Sequence, residues 1–85
     1  MYELVFSKQA KKVLDTIPTK VSRKILKELQ KIAKAPELYI GDWKKLKGSY
    51  FWRFRKGGWR VICDMIDSEL VILVLKVRSR CDIYK

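Results

Sequence analysis

The sequence predicts an α+β fold in which a helical hairpin covers one face of a four-stranded sheet. Two observations support this class. Apolar residues in the first half recur at helical spacing, whereas those in the second half alternate or run continuously, as in strands. The chain is 85 residues long, so we expect a single domain, residues 1–85, with one core. The predicted order is one strand, two helices and an antiparallel meander of three strands.

A short strand and a helix open the chain. Residues 2–6 are β-prone, and Ser7 directly after them can cap a helix through its hydroxyl. One apolar helical face follows, at Ala10, Val13, Leu14 and Ile17. Pro18 ends this helix because proline lacks the backbone N–H that a helix interior requires.

A second helix is predicted from about Thr19 to about Ala35, where Pro36 ends it. Its apolar face is formed by Val21, Ile25, Leu29 and Ile32. Lysines at positions 20, 24, 27, 31 and 34 gather within an arc of about 80° on the opposite side. We interpret these lysines as a solvated surface, with contact to an RNA backbone as the alternative.

Residues 37–48 have no clear period and are predicted to be a connection that ends in a basic stretch. Three strand-like runs follow, over residues 49–55, 59–66 and 69–77, with turn sequences at Lys56-Gly57-Gly58 and Asp67-Ser68. The segment 70–75 is apolar on both faces, which suits a central strand that is covered on each side.

The charge of the chain indicates a polyanionic partner. Lysine and arginine number 20 and acidic residues 9, which gives a net charge of +11. Such a surface attracts nucleic acid first and acidic proteins second. An anionic membrane ranks third, because no helix combines Trp or Phe with a basic face.

Targeting and redox signals are absent from the sequence. No segment approaches the roughly 18 apolar residues of a membrane span, and the N-terminus does not resemble a signal peptide, so a cytoplasmic location is expected. Cys63 and Cys81 lack the spacing of a zinc or redox motif, and both are expected to be reduced.

An arginine cluster is predicted on the sheet. Alternation places Trp52 and Phe54 on one face, and Arg53 and Arg55 on the other. If the next turn has an even number of residues, Arg60 joins the two arginines and the apolar side chains of both strands stay together. We favour this register, which would build an anion site on the face away from the helices.

Neighbouring side chains leave alternatives open at this cluster. The arginines could instead pair with Asp64 or Glu69. Phe51 and Tyr84 could stack on unpaired bases, although core packing is the alternative for either ring.

Several enzyme classes are excluded by what the sequence lacks. It has no histidine, its carboxylates are scattered, and it has no phosphate-binding glycine loop or nucleophile elbow. We therefore expect no metal and no cofactor.

Several short motifs resemble the RelE/ParE toxin superfamily, and the similarity spans nearly the whole chain. The motifs are Lys45-Leu46-Lys47-Gly48, Trp52-Arg53-Phe54-Arg55, Gly58-Trp59-Arg60-Val61-Ile62 and Val77-Arg78-Ser79-Arg80, with Tyr84 near the end. The fold that this resemblance implies is RelE-like.

Resemblance to the RelE branch implies a toxin of a toxin–antitoxin pair that cleaves messenger RNA in the ribosomal A site and inhibits translation. The ribose 2′-hydroxyl would attack the adjacent phosphate, so the activity would be that of a metal-independent endoribonuclease. The implied partners are a cognate antitoxin protein, the ribosome and the messenger, with no membrane and no small-molecule cofactor.

The resemblance also implies roles for single residues. Arg60 would hold the phosphate, Arg80 would stabilise the transition state, and Tyr84 would orient or stack the substrate. Arg53 completes the catalytic set at a position that is lysine in the best-known members. Further RNA-binding residues are expected at Lys44, Lys45, Lys47, Phe51, Arg55 and Arg78.

The proton acceptor stays unassigned, because Phe51 stands where the best-known members have another lysine and an arginine at 53 is a poor base. Candidates are Lys44, Lys45, Lys47 and Lys85. Fold alone does not decide function. A ParE-like inhibitor that binds DNA gyrase and a non-catalytic RNA-binding module are therefore the alternatives.

Overall fold

The computed structural model describes residues 1–79, in which two helices pack on one face of a five-stranded sheet. The helices are α1 (Lys8–Thr16) and α2 (Thr19–Lys34), and the strands are β1 (Glu3–Phe6), β2 (Asp42–Lys45), β3 (Phe51–Lys56), β4 (Trp59–Ile66) and β5 (Val71–Ser79). The spatial order of the strands is β1-β5-β4-β3-β2. β1 runs parallel to β5, and the other neighbouring pairs are antiparallel.

The helix boundaries follow local chemistry, as predicted. The Ser7 hydroxyl oxygen accepts a hydrogen bond from the Ala10 amide at 3.1 Å, which caps α1. Pro18 separates the helices, and its carbonyl accepts the amides of Val21 and Ser22 in the first turn of α2. The lysines on the outer side of α2 are exposed, and Lys31 forms an ion pair with a carboxylate of its own helix.

The core lies between the helices and the sheet. The helices contribute Ala10, Leu14, Ile25, Leu29, Ile32 and Ala33, and the strands contribute Phe54, Val61, Cys63, Ile72, Val74 and Val77. Burial raises the pKa of the Cys63 thiol to about 12, which keeps it protonated. Cys63 is a free cysteine, and Cys81 lies outside the described residues.

The sheet has one strand more than the predicted four. β2 falls inside residues 37–48, which the sequence predicted as a connection. The residues of β2, Asp-Trp-Lys-Lys, do not alternate between apolar and polar, so the local sequence does not predict a strand here. It forms as an edge strand because it pairs with β3, and the ring of Trp43 stacks on Trp52 at 5.1 Å between centroids. The α+β class itself is confirmed.

The predicted environment of β5 is only partly confirmed. Its central position is confirmed, since it lies between β1 and β4. The prediction that both of its faces are covered is wrong for the part of the chain that the structure describes. Val71, Leu73 and Leu75 remain partly exposed on the face opposite the helices, which we call the open face.

No helix within residues 1–79 is both long enough and apolar enough to cross a membrane.

Candidate nucleic-acid interface

A row of charged residues crosses the open face from strand to strand. Asp42 on β2 lies opposite Arg55 on β3, Arg55 lies opposite Arg60 on β4, and Arg60 lies opposite Arg78 on β5. Directly opposed residues have Cβ atoms about 4.5–5.5 Å apart. Three arginines therefore lie side by side on three adjacent strands, and we call Arg55, Arg60 and Arg78 the arginine row.

A second row lies beside the first, two residues along each strand. Lys44 on β2 is opposite Arg53 on β3, and Ile62 on β4 separates Arg53 from Lys76 on β5. Two strand residues span about 6.6 Å, which is a distance over which a nucleotide chain can place successive phosphates. The two rows together form the basic face: Lys44, Arg53, Arg55, Arg60, Lys76 and Arg78.

The turn between β3 and β4 sets the register of these rows. Gly57 and Gly58 have φ angles of +55° and +83°, a conformation that residues with a side chain rarely adopt. They form a two-residue turn between the paired residues Lys56 and Trp59. The predicted even register, which brings Arg60 beside Arg55, is confirmed.

A bulge in β5 brings its basic residues to the open face. The register with β4 shifts after Ile62, because Ile62 pairs with Lys76 but Cys63 pairs with Val74. Leu75 is the extra residue, so the buried positions change from even numbers, such as Val74, to odd numbers, such as Val77. Without this shift, strand alternation would turn Lys76 and Arg78 toward the core.

Two side chains at the start of α1, those of the N-cap Ser7 and of Gln9, support the bulge. The Ser7 hydroxyl donates to the Leu75 carbonyl at 2.6 Å. The Gln9 side chain accepts from the Val77 amide at 3.2 Å and donates to the Val77 carbonyl at 3.4 Å. β1 ends at Phe6, so these side chains satisfy backbone groups of β5 beyond the end of the β1 ladder.

One carboxylate holds two of the arginines. Arg55 Nε donates to Asp42 Oδ2 at 2.6 Å, and Arg53 Nη2 donates to Asp42 Oδ1 at 3.4 Å. The Arg55 hydrogen bond, opposed by desolvation, holds the pKa of the Asp42 carboxyl below its usual value. The sequence alternatives for these pairs, Asp64 and Glu69, form no ion pair within residues 1–79.

Arg60 is the partly buried centre of the arginine row. In the described part of the chain, neither Arg60 nor Arg78 forms an ion pair. Arg60 borders a concavity of about 320 Å³ whose apolar walls are Leu46, Phe51, Ile62 and Leu75. It also borders a polar concavity of about 380 Å³ that includes Asp42, Arg55 and the Gly57-Gly58 turn. The guanidinium thus lies between a surface suited to a base and a surface suited to a phosphate.

The remaining predicted residues divide by position. Phe51, 39% exposed, lies on the open face in line with Arg53 and Arg55. Lys45 faces the other side of β2, with its Nζ atom 5.9 Å from the centroid of the Tyr50 ring. Lys47 is exposed in the turn between β2 and β3. Arg80, Tyr84 and Lys85 lie outside the described residues.

Two residues of this surface were not predicted from the sequence. Asp42 lies within residues 37–48, which the sequence predicted as a connection. Lys76 lies within the predicted strand 69–77, but the sequence analysis assigned it to neither face, although the alternation Lys76, Val77, Arg78 was a signal for the shifted face. Among residues 1–79 there is no group of three or more His, Cys, Asp or Glu residues that could hold a metal ion.

Comparison with known proteins gives consistent matches along the chain. The family model of the ParE toxin of type II toxin–antitoxin systems, parDE, matches residues 4–84. A RelE-like toxin protein of Escherichia coli is 27% identical, over 98% of this chain and 90% of the relative. The mRNA interferase toxin RelE of Escherichia coli is 25% identical with the same coverage.

Solved structures match the fold as well. The archaeal RelE–RelB complex from Pyrococcus horikoshii has a chain that is 29% identical, with a TM-score of 0.79 over 93% of this chain and 94% of that one. The isolated Escherichia coli RelE toxin superposes with a TM-score of 0.80 at 24% identity, over 99% of this chain and 92% of that one.

Proposed function

Because the chain belongs to the ParE toxin family of type II toxin–antitoxin systems, we propose that it is a RelE-like endoribonuclease that inhibits translation. Its substrate would be messenger RNA in the ribosomal A site. The observation that carries this proposal is the basic face, where six cations stand in two adjacent cross-strand rows. The relative named mRNA interferase toxin RelE supports the reaction class.

The proposed reaction needs no cofactor. The ribose 2′-oxygen loses its proton to the proton acceptor and forms a bond to the adjacent phosphorus, while the bond from phosphorus to the 5′-oxygen breaks and that oxygen takes up a proton. The products are a 2′,3′-cyclic phosphate and a 5′-hydroxyl end. Guanidinium groups fixed on strands stabilise the negative charge that develops on the phosphoryl oxygens, and such preorganised groups are often the largest contribution to catalysis.

The positions of four described residues on the open face suggest their roles. Arg60 binds the scissile phosphate, Arg53 and Arg78 bind neighbouring oxygens or the next phosphate, and Phe51 stacks on a base beside Arg60. Arg80 and Tyr84 keep the roles that the family resemblance implies, in transition-state stabilisation and substrate orientation.

Lys44 becomes the proton acceptor of choice among the three lysine candidates that lie within residues 1–79. It lies on the open face directly opposite Arg53. Lys45 lies on the other face of β2, and Lys47 is in the turn between β2 and β3.

An antitoxin is the second proposed partner. Relatives of the same fold have been solved as complexes of toxin and antitoxin, from Escherichia coli and from Pyrococcus horikoshii. The open face combines the basic rows with the partly exposed apolar residues Val71, Leu73 and Leu75. An acidic, amphipathic segment matches both halves of this surface. We place the complex, like the ribosome, in the cytoplasm.

Cleavage in a translating extract is the direct test. Purified protein should cut a defined messenger only when ribosomes are translating it, and the new ends should carry a 5′-hydroxyl. Arg60→Met should abolish these ends, whereas Arg23→Met, an equal charge loss on the exposed side of α2, should not. Intact messenger with the unaltered protein would refute the proposal.

A second candidate is a ParE-like inhibitor that binds DNA gyrase. It is favoured by the match to the ParE toxin family and by Phe51, which stands where the best-known nucleases have lysine. A supercoiling assay separates the two functions: inhibited gyrase together with intact messenger favours binding, and unaffected gyrase removes this candidate.

A further inference from the structure

Asp42 is the acidic end of a cross-strand row whose other members are arginines. Its two oxygens accept from Arg55 at 2.6 Å and from Arg53 at 3.4 Å. This arrangement resembles the way in which a phosphate is held by guanidinium groups, since carboxylate and phosphate both offer two oxygens to the planar fork. Two of the four arginines on the basic face are therefore already occupied by an internal anion.

The other two arginines differ in this respect. Arg60 and Arg78 follow Arg55 in the same row, and within residues 1–79 no carboxylate pairs with either of them. An incoming polyanion therefore finds two arginines of the basic face available, Arg60 and Arg78, and two engaged, Arg53 and Arg55.

From this geometry we infer that Asp42 competes with RNA phosphates for Arg53 and Arg55, so that RNA engages Arg60 and Arg78 first. Asp42 thereby limits the number of phosphates that the free protein binds. The inference deepens the proposed function, on which it rests for the identity of the polyanion as single-stranded RNA.

The Asp42 pairs are suited to exchange. The side chains of Asp42, Arg53 and Arg55 are 29%, 22% and 44% exposed, so solvent screens the pairs and an external anion can reach them. A carboxylate this close to the row also repels an approaching phosphate, because both are negative. Competition and repulsion act in the same direction, toward weaker RNA binding.

Arg53 is the arginine with the most to gain from exchange. Its contact with Asp42 is long, and its Nε atom is buried without a hydrogen-bond partner in the described part of the chain. A guanidinium carries five N–H donors, and those that lack an acceptor in a buried position are unfavourable. A phosphate over the second row would supply acceptors that Asp42 leaves missing.

The test compares Asp42→Asn with Asp64→Asn in the full-length protein. Asparagine preserves shape and removes one negative charge in each variant. Asp64 is a matched control because it lies on the same open face, opposite Phe51 and Leu73, and forms no ion pair within residues 1–79. Circular dichroism should give the same folded signal for both variants and the parent.

The measurement is the salt dependence of binding to a short single-stranded 2′-O-methyl RNA, which lacks the attacking hydroxyl and is not cut. For single strands, the slope of log K against log salt changes by about −0.7 for each phosphate neutralised. Asp42→Asn should therefore steepen the slope by about 0.7–1.4, for one or two additional contacts, and should tighten binding at low salt. Asp64→Asn should keep the parent slope.

Three results would overturn the inference: equal slopes for Asp42→Asn and the parent, weaker binding by Asp42→Asn, or no binding of this RNA by any of the proteins at low salt. The assay contains no ribosome and measures no cleavage. A steeper Asp42→Asn slope together with intact messenger in the translating extract would thus support the inference while refuting the nuclease.

Discussion

Replacing Arg60 should lower activity and raise stability at once. The proposed role of Arg60 is to stabilise charge on the phosphate, and removal of one such preorganised donor typically lowers the rate by about 10²–10³, or about 2.7–4 kcal/mol. Arg60→Met is the preferred change, because methionine keeps an apolar stem in the concavity formed by Leu46, Phe51, Ile62 and Leu75. The loss is then one of charge.

The stability of the same variant follows from the arginine row. Arg60 lies between Arg55, whose charge is offset by Asp42, and Arg78, which has no ion pair in the described chain. One like-charge cross-strand pair is therefore relieved, worth about 0.2–1 kcal/mol. For a domain of this size each kcal/mol moves the melting temperature by about 4–8 °C, so Arg60→Met should melt about 1–8 °C higher.

Two assays check this prediction together. Messenger cleavage in a translating extract gives the rate, and thermal unfolding by circular dichroism at low and high salt gives the stability. The gain in melting temperature should shrink at high salt, because ions screen the repulsion between exposed guanidiniums. Arg23→Met should change neither quantity. A melting temperature that falls together with the activity would refute the reasoning, since it would make Arg60 a structural residue.

Three further perturbations address the scaffold of the site. Ser7→Ala should destabilise the protein by about 0.5–2 kcal/mol in urea unfolding through loss of the α1 cap, and the loss of the bond to Leu75 should also weaken RNA binding. Gly57→Ala should cost about 1–2 kcal/mol, because φ is +55° and a Cβ there meets no atom within 4 Å, so strain is the whole effect; no loss would contradict the turn geometry. The lowered pKa of Asp42 implies a stabilisation that is present above the ordinary aspartate pKa of about 3.9 and is lost as the pH falls through the lowered value. Asp42→Asn should therefore flatten the acid limb of a stability–pH curve, and an unchanged limb would count against the pairing.

The sequence predicts the structure correctly where local chemistry determines it. The Ser7 cap and Pro18 fix the helix boundaries through backbone hydrogen bonds that depend only on neighbouring residues. The Gly57-Gly58 turn fixes the pairing of β3 with β4, and the period of two along each strand then determines which arginines share a face. Three of the four arginines on the basic face, Arg53, Arg55 and Arg60, could be placed in this way.

Structure that depends on a distant partner could not be predicted from the sequence. β2 is a strand because it pairs with the edge of β3 and because Trp43 stacks on Trp52. The four residues of β2 do not reveal either contact. The bulge at Leu75 depends on Ser7 and Gln9, which are 68 residues away in sequence. Asp42 was missed as a consequence of the first error, and Lys76 as a consequence of the second.

The basic face has a cost that argues for an anionic partner. Arg60 and Arg78 are opposed across β4 and β5 without a carboxylate between them in the described chain, an arrangement that destabilises the free protein. Any polyanion that binds this surface removes the repulsion, and at 100 times its dissociation constant it stabilises the fold by about 2.7 kcal/mol. RNA and an acidic antitoxin segment would bind to the same rows of cations on the basic face. They should therefore exclude each other, and neutralisation of the toxin would need no change in its fold.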